Sequence, residues 1–339
     1  SSDLNEDGGI YMSQQGQLTY RTVSDFLEAK LTRSEAAEIL GVRERTVTRI
    51  ARRIEAKGFL ATVHGNRGKS PWNKSSAEQK KVVMNLVESK YFDFNMTHCL
   101  EKLKEEHGLE IKYDTFRNWC HEKKLVKRAK KRRPKARYRR VRMSNEGLLL
   151  QMDGSPHRYN GKDEWCLIAA IDDATSDMPY AEFFHSEDTI NCMIVLQKII
   201  EKKGIPYAIY VDGAGCFGGG KRANFNQFKR ACEELGIKII TATSAEAKGR
   251  IERAWDTIQD RIIPEMRLRN IKTMPAANYY LQKQFLPNYW KIKNTVPAKS
   301  KESRYTALES TIALKEILCL KEYRTVARNH TLSWENTIY

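Results

Sequence analysis

The fold class of this 339-residue chain depends on one stretch, Leu148-Leu149-Leu150-Gln151-Met152-Asp153-Gly154-Ser155. It is an apolar run that ends near a carboxylate, and a second apolar run, Trp165 to Asp172, follows it. Asn160-Gly161 stands between the two runs, and this dipeptide is the strongest short hairpin signal because type I′ turns need positive φ at both central residues. The stretch therefore predicts an antiparallel pair of buried strands.

Strands and helices alternate after this hairpin. Met178 to Phe184 predicts a third strand, and Thr189 to Lys203 predicts a helix with an apolar stripe. The remaining predicted elements are a strand at 207–211, a helix at 225–235, a strand at 237–241 and a helix that opens at Lys248-Gly249-Arg250. The order βββαβαβα is that of an RNase H-like α/β fold, an antiparallel meander followed by right-handed crossovers.

Three carboxylates are expected at one end of this sheet. Asp153 lies near the end of the first strand, and Asp212 ends the strand at 207–211. In this topology the two strands are neighbours, and the last helix crosses the same end and can present Glu252. Converging carboxylates repel one another unless cations bind between them. The pattern predicts two Mg²⁺ ions held by Asp153, Asp212 and Glu252, with Mn²⁺ able to substitute, at a site for in-line phosphoryl displacement.

Other acidic residues near these positions have simpler interpretations. A lone Asp at a strand end is usually a turn residue or a cap, and Asp172 and Asp173 are interpreted in this way. Glu246 competes with Glu252 for the third position, but it precedes the predicted helix and its place is less fixed. Glu252 is therefore preferred.

The net charge of the chain is +17 and is unevenly distributed. Residues 1–150 carry 32 basic and 19 acidic residues, and the run from Lys123 to Arg142 has no acidic residue. Such uncompensated charge favours a polyanionic partner, and each phosphate contact would release counterions. A membrane surface is a weaker candidate because no hydrophobic face accompanies the run, and no apolar stretch is long enough to span a bilayer.

The segment Leu31 to Ile54 has the pattern of a helix-turn-helix motif. Thr32 and Glu35 form a capping box, Ala36, Ile39 and Leu40 form an apolar stripe, and Gly41 permits a tight turn. Val47, Ile50 and Ile54 give the next helix a buried face. Its opposite face is suited to the DNA major groove and consists of Arg45, Thr46, Thr48, Arg49 and Arg52.

A second helix-turn-helix unit is predicted at 75–126. Ser75 and Glu78 form its capping box, a helix begins at about Thr97, and Asp114 caps the last helix. The segments on either side of this unit are basic. The one that precedes it could lie in a minor groove like an AT-hook or act as a plain linker. Further predicted DNA contacts in these regions are Arg67, Lys69, Arg117, Lys130, Arg132, Arg133 and Arg137. Around the predicted active site, Lys248, Arg250 and Arg253 are expected to hold DNA phosphates.

Three other motifs are rejected. Gly68-Lys69-Ser70 lacks the first glycine of a Walker A loop, and Pro71 would stop its helix, so no nucleotide cofactor is expected. Gly213 to Gly218 fits a dinucleotide-binding pattern, but Gly219-Gly220 continue the loop where a helix should start. His98-Cys99 and Cys120-His121 are adjacent pairs on apolar helices, for which core packing is a better interpretation than zinc binding.

The expected organisation is a multidomain chain. Its parts are a disordered or tag-like start at 1–20, a helix-turn-helix domain at 21–62, a basic linker at 63–74, a second helix-turn-helix domain at 75–126, a basic linker at 127–145, an RNase H-like catalytic core at 146–270, and a helical connector with a short or truncated C-terminal β segment at 271–339. The seven cysteines contain no Cys-x-x-Cys pair, which favours free thiols in a reducing cytoplasm.

Several of these residues resemble one known family. Asp153-Gly154-Ser155-x-His157, Tyr210-Val211-Asp212 and Ala247-Lys248-Gly249-Arg250-Ile251-Glu252-Arg253, with 39 residues between Asp212 and Glu252, resemble the DDE transposases of bacterial insertion sequences. These enzymes belong to the retroviral-integrase superfamily. The stretch Phe94-Asn95-x-Thr97-His98 and the helix-turn-helix pattern add to the resemblance, which covers most of the chain.

The resemblance implies a function. Asp153, Asp212 and Glu252 would be the catalytic triad of an enzyme that binds terminal inverted repeats, cleaves at the transposon ends and joins the 3′-hydroxyl to target DNA. Its partners would be double-stranded DNA and further copies of the chain, with which it would form a dimer or higher oligomer. It would be a bacterial cytoplasmic protein associated with the nucleoid. The alternatives are a structure-selective nuclease of the same fold and a non-catalytic DNA-binding regulator.

Overall fold

A computed structural model of the protein describes residues 13–62, 75–126, 140–212, 222–242, 249–309, 313–334 and 337–339. The chain divides into two compact units, residues 1–80 and residues 81–339. The predicted basic linker at 63–74 and most of the linker at 127–145 lie outside the described residues.

The first unit is helical. Its elements are α1 (Gln14–Leu27), α2 (Arg33–Leu40), α3 (Glu44–Lys57) and a 3₁₀ helix (Gly58–Thr62). The Ser13 hydroxyl caps α1 by accepting from the Gly16 N–H at 3.1 Å. The expectation of disorder over 1–20 is therefore wrong from Gln14 onward, because α1 contributes Val23 to the core of this unit.

The junction of α2 and α3 is largely as the sequence predicts. Thr32 and Glu35 form the capping box, and Gly41 ends α2 in the left-handed region at φ 63°. Val47 and Ile54 are buried on α3, and Arg43 precedes that helix without a side-chain cap. The assignment of Ile39 to the apolar stripe is wrong: its side chain is 50% exposed, because the smaller Ala36 and Ala37 face the core.

Three more helices form the second helical region, residues 75–126. They are α4 (Ala77–Ser89), α5 (Met96–His107) and α6 (Tyr113–Glu122). The Ser76 hydroxyl accepts from the Gln79 N–H at 3.0 Å, so Ser76 rather than Ser75 caps α4. Asn95 caps α5 through the His98 N–H at 2.8 Å. Asp114 lies inside the first turn of α6 and does not cap it.

The predicted order βββαβαβα of the core is confirmed. Its elements are β1 (Leu150–His157), β2 (Trp165–Asp172), β3 (Ala181–Phe184), α7 (Thr189–Lys203), β4 (Ala208–Asp212), α8 (Arg222–Glu234), β5 (Lys238–Ala242) and α9 (Gly249–Leu268). The five strands form one mixed sheet in the order β3-β2-β1-β4-β5. β1 pairs antiparallel with β2 and parallel with β4, which places it at the centre of the sheet.

The two faces of the sheet carry different layers. One face packs its buried residues, such as Met152 and Ile168, against α7 and α8. The other face packs Leu167 and Ala169 against the buried stripe of α9. Alternate residues of a strand point to opposite faces. Gln151, Asp153 and Ser155 on β1 therefore point toward α9, whereas Met152 points away from it.

The chain after α9 returns to both layers. The elements are α10 (Met274–Tyr280), a π-helical stretch (Leu281–Trp290), α11 (Lys291–Lys293), α12 (Leu314–Ile317), β6 (Ser333–Trp334) and β7 (Thr337–Ile338). Tyr280, Phe285 and Trp290 are buried beside α9. Leu314 and Leu318 pack on the α7 and α8 layer. Much of the predicted connector at 271–339 thus packs against the core, and among the described residues that follow, β6 and β7 form a two-stranded ribbon.

Two further features of the described residues are the length and polarity of their helices and the state of their cysteines. Within the described ranges, no helix is both long and apolar enough to cross a bilayer. Cys99, Cys120, Cys166, Cys232 and Cys319 are free thiols, whereas Cys192 is disulfide-bonded. The expectation that every cysteine is a free thiol is wrong for Cys192.

Candidate active site

Asp153 and Asp212 occupy equivalent positions on adjacent parallel strands. Gln151 of β1 is paired with Tyr210 of β4, so two residues further along each strand Asp153 is level with Asp212. Asp153 is half-buried, and Asp212 is the last residue of β4. The sheet topology therefore brings the first two predicted carboxylate positions to one edge, as the sequence analysis expects.

The third predicted residue, Glu252, lies on the first turn of α9, and α9 is bound to β1 by three polar contacts. The Ile251 N–H donates to Gln151 Oε1 at 3.3 Å, the Trp255 indole N–H to Asp153 Oδ2 at 3.1 Å, and the Gln259 amide to Ser155 Oγ at 2.9 Å. We call these three contacts the polar ladder. Glu252 lies between its first two rungs and is exposed.

Sequence reasoning missed the residues of the polar ladder other than Asp153. The signal was present, because Gln151, Asp153 and Ser155 recur every second residue, and Ile251, Trp255 and Gln259 recur every fourth residue. These are the periods of one strand face and one helix face. What the sequence alone did not give is that these two faces oppose each other.

Asp173, which the sequence analysis interpreted as a turn residue, is an anchor for two segments. Its carboxylate is fully buried and accepts from the Gln151 amide at 2.7 Å, from the Met143 N–H at 2.8 Å and from Arg250 at 3.0 Å, and it also pairs with Arg140. Asp173 therefore fixes the end of the basic segment and the start of α9 at the same point.

Asp172 does have the local role that was predicted. Its carboxylate accepts from the Thr175 N–H at 2.8 Å and from the Thr175 hydroxyl at 3.0 Å, within the turn that follows β2. It also accepts from the Gly147 N–H at 2.7 Å. Burial raises the pKa of Asp172, and these hydrogen bonds partly offset that rise.

The Arg250 side chain makes contacts within the protein. Its guanidinium binds Asp173 and donates to the Arg140 carbonyl at 3.1 Å, and its side chain is only 17% exposed. Burial lowers its pKa, and Asp173 opposes that shift. Both of these Arg250 contacts lie within the protein, and the expectation that Arg250 contacts DNA stays a prediction. Arg253, three residues further along α9, is exposed.

Several other predicted positions are not described. Lys248 and Glu246 precede α9 outside the described residues, as do the proposed DNA contacts Arg67, Lys69, Lys130, Arg132, Arg133 and Arg137. Arg117 is exposed on α6. In the first unit, Arg45, Arg49 and Arg52 are exposed and Thr46 and Thr48 half-buried, so the predicted polar face of α3 lies on the surface of that unit.

The far half of α9 carries a different kind of contact. Glu265 is buried, and its Oε1 is 2.9 Å from His98 Nε2 and 2.8 Å from Lys102 Nζ on α5. Burial alone would raise the pKa of Glu265, but the hydrogen bonds from His98 and Lys102 lower it to about 2. His98 is thus a buried partner of α9, which agrees with the packing interpretation of His98-Cys99.

Further pairs join the second helical region to this half of α9. Arg267 makes a two-pronged contact with Asp93, at 2.7 Å and 2.6 Å, and its guanidinium lies over the Phe92 ring. The other two pairs are Asn95 with Asp260 and Glu101 with Arg261. We call the contacts of Glu265, Arg267, Asp260 and Arg261 with the second helical region the charged clamp. Asn95 and His98, from the Phe94 to His98 stretch of the resemblance, thus contact α9.

Among the described residues, no three His, Cys, Asp or Glu side chains lie together as a ready-made metal site, and the acidic residues near the β1 edge are the candidates for binding a hard divalent cation. The side chains of Asp153 and Glu252 offer oxygen atoms, and Asp212 adds a third acidic residue at the same edge. Mg²⁺ prefers oxygen ligands and is usually held by one or two carboxylates with water and substrate phosphate. Asp153 accepts a hydrogen bond from the neutral Trp255 N–H.

Two related proteins match nearly all of the chain. The protein designated transposase y4bF of Sinorhizobium fredii (strain NBRC 101917 / NGR234) is 32% identical over 335 residues, which are 97% of this chain and 73% of that protein. The transposase for insertion sequence IS1202 of Streptococcus pneumoniae is 27% identical over 361 residues, or 94% of this chain and 77% of that protein. No family model matches the sequence. The chain belongs to the family of insertion-sequence transposases, and the resemblance inferred from its residues is confirmed.

Two solved structures match parts of the chain, each with a TM-score below 0.5. The simian T-cell lymphotropic virus intasome, in complex with PP2A regulatory subunit B56 gamma, matches with a TM-score of 0.36 and 18% identity over 60% of this chain and 67% of that chain. The HTLV-2 integrase catalytic core domain in complex with magnesium matches with a TM-score of 0.33 and 17% identity over 41% of this chain and 89% of that chain.

Proposed function

We propose that this transposase binds the terminal inverted repeats of its insertion sequence, cleaves at the transposon ends and joins the resulting 3′-hydroxyl to target DNA. The observation that carries the proposal is the alignment of Asp153 with Asp212 on adjacent parallel strands, with the first turn of α9 bound to β1 beside them. This arrangement supports assigning Asp153, Asp212 and Glu252 as the catalytic triad.

The triad would hold two Mg²⁺ ions, or Mn²⁺ in their place. When bound, such ions stabilise the attacking and the leaving oxygens of an in-line phosphoryl displacement. The three carboxylates would hold the ions beside the scissile phosphate. The exposed Arg253 on α9 would contact an adjacent phosphate of the DNA backbone. No side chain needs to bond covalently to DNA.

End recognition is assigned to α3 of the first unit. Its exposed Arg45, Arg49 and Arg52 suit the phosphates and base edges of a major groove, and the half-buried Thr46 and Thr48 flank them. The basic segments at 63–74 and 127–139 would add contacts to the DNA backbone. We further propose that the chain acts as a dimer or higher oligomer, because two transposon ends must be held side by side while each is joined to target DNA.

The test is a strand-transfer assay with Mg²⁺ and labelled end DNA, using Asp153→Asn, Asp212→Asn and Glu252→Gln. Each variant should lose cleavage and joining by at least about a thousandfold while retaining end binding, because each removes a charge needed for cation binding. Asp163→Asn, in the loop between β1 and β2, is a matched control. Arg49→Ala should instead weaken end binding and reduce its salt dependence.

Different outcomes separate the alternatives. Activity that survives in one variant would remove that residue from the triad. Cleavage without joining would favour a nuclease of the same fold. End binding without any metal-dependent cleavage by the wild-type chain would favour a DNA-binding regulator and overturn the proposal.

A further inference from the structure

The three rungs of the polar ladder match because the repeats of the two elements are nearly equal. Alternate residues along a strand are about 6.6 Å apart, and every fourth residue along a helix is about 6.0 Å further along its axis. Gln151, Asp153 and Ser155 can therefore meet successive turns of α9 without distorting either element. Shifting α9 by one residue would rotate its contacting face by about 100° and break all three rungs at once.

The middle rung touches the proposed catalytic residue itself. Trp255 is buried in the α9 layer, 7% exposed, so packing fixes the ring that carries the indole N–H. That N–H donates to Asp153 Oδ2 at 3.1 Å. Because an indole N–H is a donor only, it can orient the carboxylate but cannot take its proton or exchange roles with it.

The outer rungs are themselves held in place. The Gln151 amide is fully buried and is oriented by its hydrogen bond to Asp173, which also binds Arg250 at the start of α9. At the other end, Ser155 Oγ accepts a second hydrogen bond, from the Tyr159 hydroxyl at 3.0 Å. The position of Trp255 along β1 is therefore set from both sides.

We propose that Trp255 is a positioning residue for the metal site: through the polar ladder it fixes the orientation of the Asp153 carboxylate and the position of Glu252 beside it. This inference depends on the proposed function, because it concerns how the same carboxylates are arranged. Residues that orient metal ligands typically change metal affinity or activity by about 10- to 100-fold when they are removed.

The test compares Trp255→Phe with Trp290→Phe in the full-length chain. Trp290 is a matched control because it is buried in the same layer and its indole N–H also donates to an oxygen, the Ser176 carbonyl at 3.0 Å. Mn²⁺ binding is measured by electron paramagnetic resonance of the free ion, and cleavage of end DNA is measured against Mg²⁺ concentration. Thermal unfolding of both variants reports their structural cost.

Trp255→Phe should raise the half-saturating concentrations of Mn²⁺ and Mg²⁺ by about tenfold, whereas Trp290→Phe should leave them within about twofold of the wild type. If Trp255→Phe does not fold, β-(3-benzothienyl)alanine at position 255 keeps the ring shape and removes only the N–H, and the same tenfold rise is expected. A midpoint that matches the control would overturn the inference and leave the proposed function standing. A wild-type chain that neither binds Mn²⁺ nor cleaves would overturn both.

Discussion

The two halves of α9 are bound to their neighbours by different chemistry. The first half, around Trp255, uses neutral donors and acceptors of the polar ladder, and the second half, around Glu265, uses ion pairs of the charged clamp. The ladder places the neutral Trp255 N–H against the Asp153 carboxylate. The clamp surrounds the buried Glu265 carboxylate with His98 and Lys102, whose hydrogen bonds favour its ionised form. One helix thus contacts β1 through neutral hydrogen bonds and the second helical region through ion pairs.

The largest expected effect on stability is at the clamp. Glu265→Gln leaves the buried Lys102 ammonium without its closest partner and should destabilise the fold by about 3–5 kcal/mol. Glu105→Gln is the matched control, because Glu105 is an exposed carboxylate on the same helix as Lys102. Urea unfolding measures both. An equal loss of unfolding free energy in the two variants would show that the contacts of Glu265 stabilise the fold no more than an exposed carboxylate does.

Acid should weaken the clamp in a defined window. The pKa of Glu265 is lowered from 4.5 to about 2 in the folded chain, so its stabilisation is fully present above about pH 4.5 and is lost as the pH falls through 2. The difference in unfolding free energy between wild type and Glu265→Gln should therefore shrink by up to about 3 kcal/mol from pH 6 to pH 2. A difference that stays constant with pH would contradict this assignment.

The smallest expected effect is at the last rung of the ladder. Gln259→Leu removes one neutral hydrogen bond, and Ser155 Oγ keeps its bond from Tyr159, so the cost should be about 1 kcal/mol. The Mg²⁺ midpoint for cleavage should rise by no more than about threefold. Gln282→Leu is the control, because it removes a neutral hydrogen bond from the Gln282 amide to the Tyr180 hydroxyl. A larger shift for Gln259→Leu than for Trp255→Phe would place the controlling contact at the third rung.

Local sequence signals predicted most of the elements. The Thr32 and Glu35 capping box, the turn at Gly41 and the helix from Thr189 to Lys203 each depend on residues close together in the chain. Errors arose where a local signal had a close competitor, as with Ser75 and Ser76 before α4. They also arose where a side chain found a distant partner, as Asp173 did with Arg140 and Arg250.

The sequence by itself determined the order of strands and helices along the chain, the three acidic positions and the basic face of α3. Each of these follows from local patterns, because strand and helix periods and the spacing of the acidic residues can be read along the chain. Only the tertiary structure decided which face of α9 meets β1, that Trp255 touches Asp153, and that His98 and Lys102 meet Glu265. These contacts join residues about 100 to 167 positions apart. Their geometry follows from packing two rigid elements together, which no local pattern specifies.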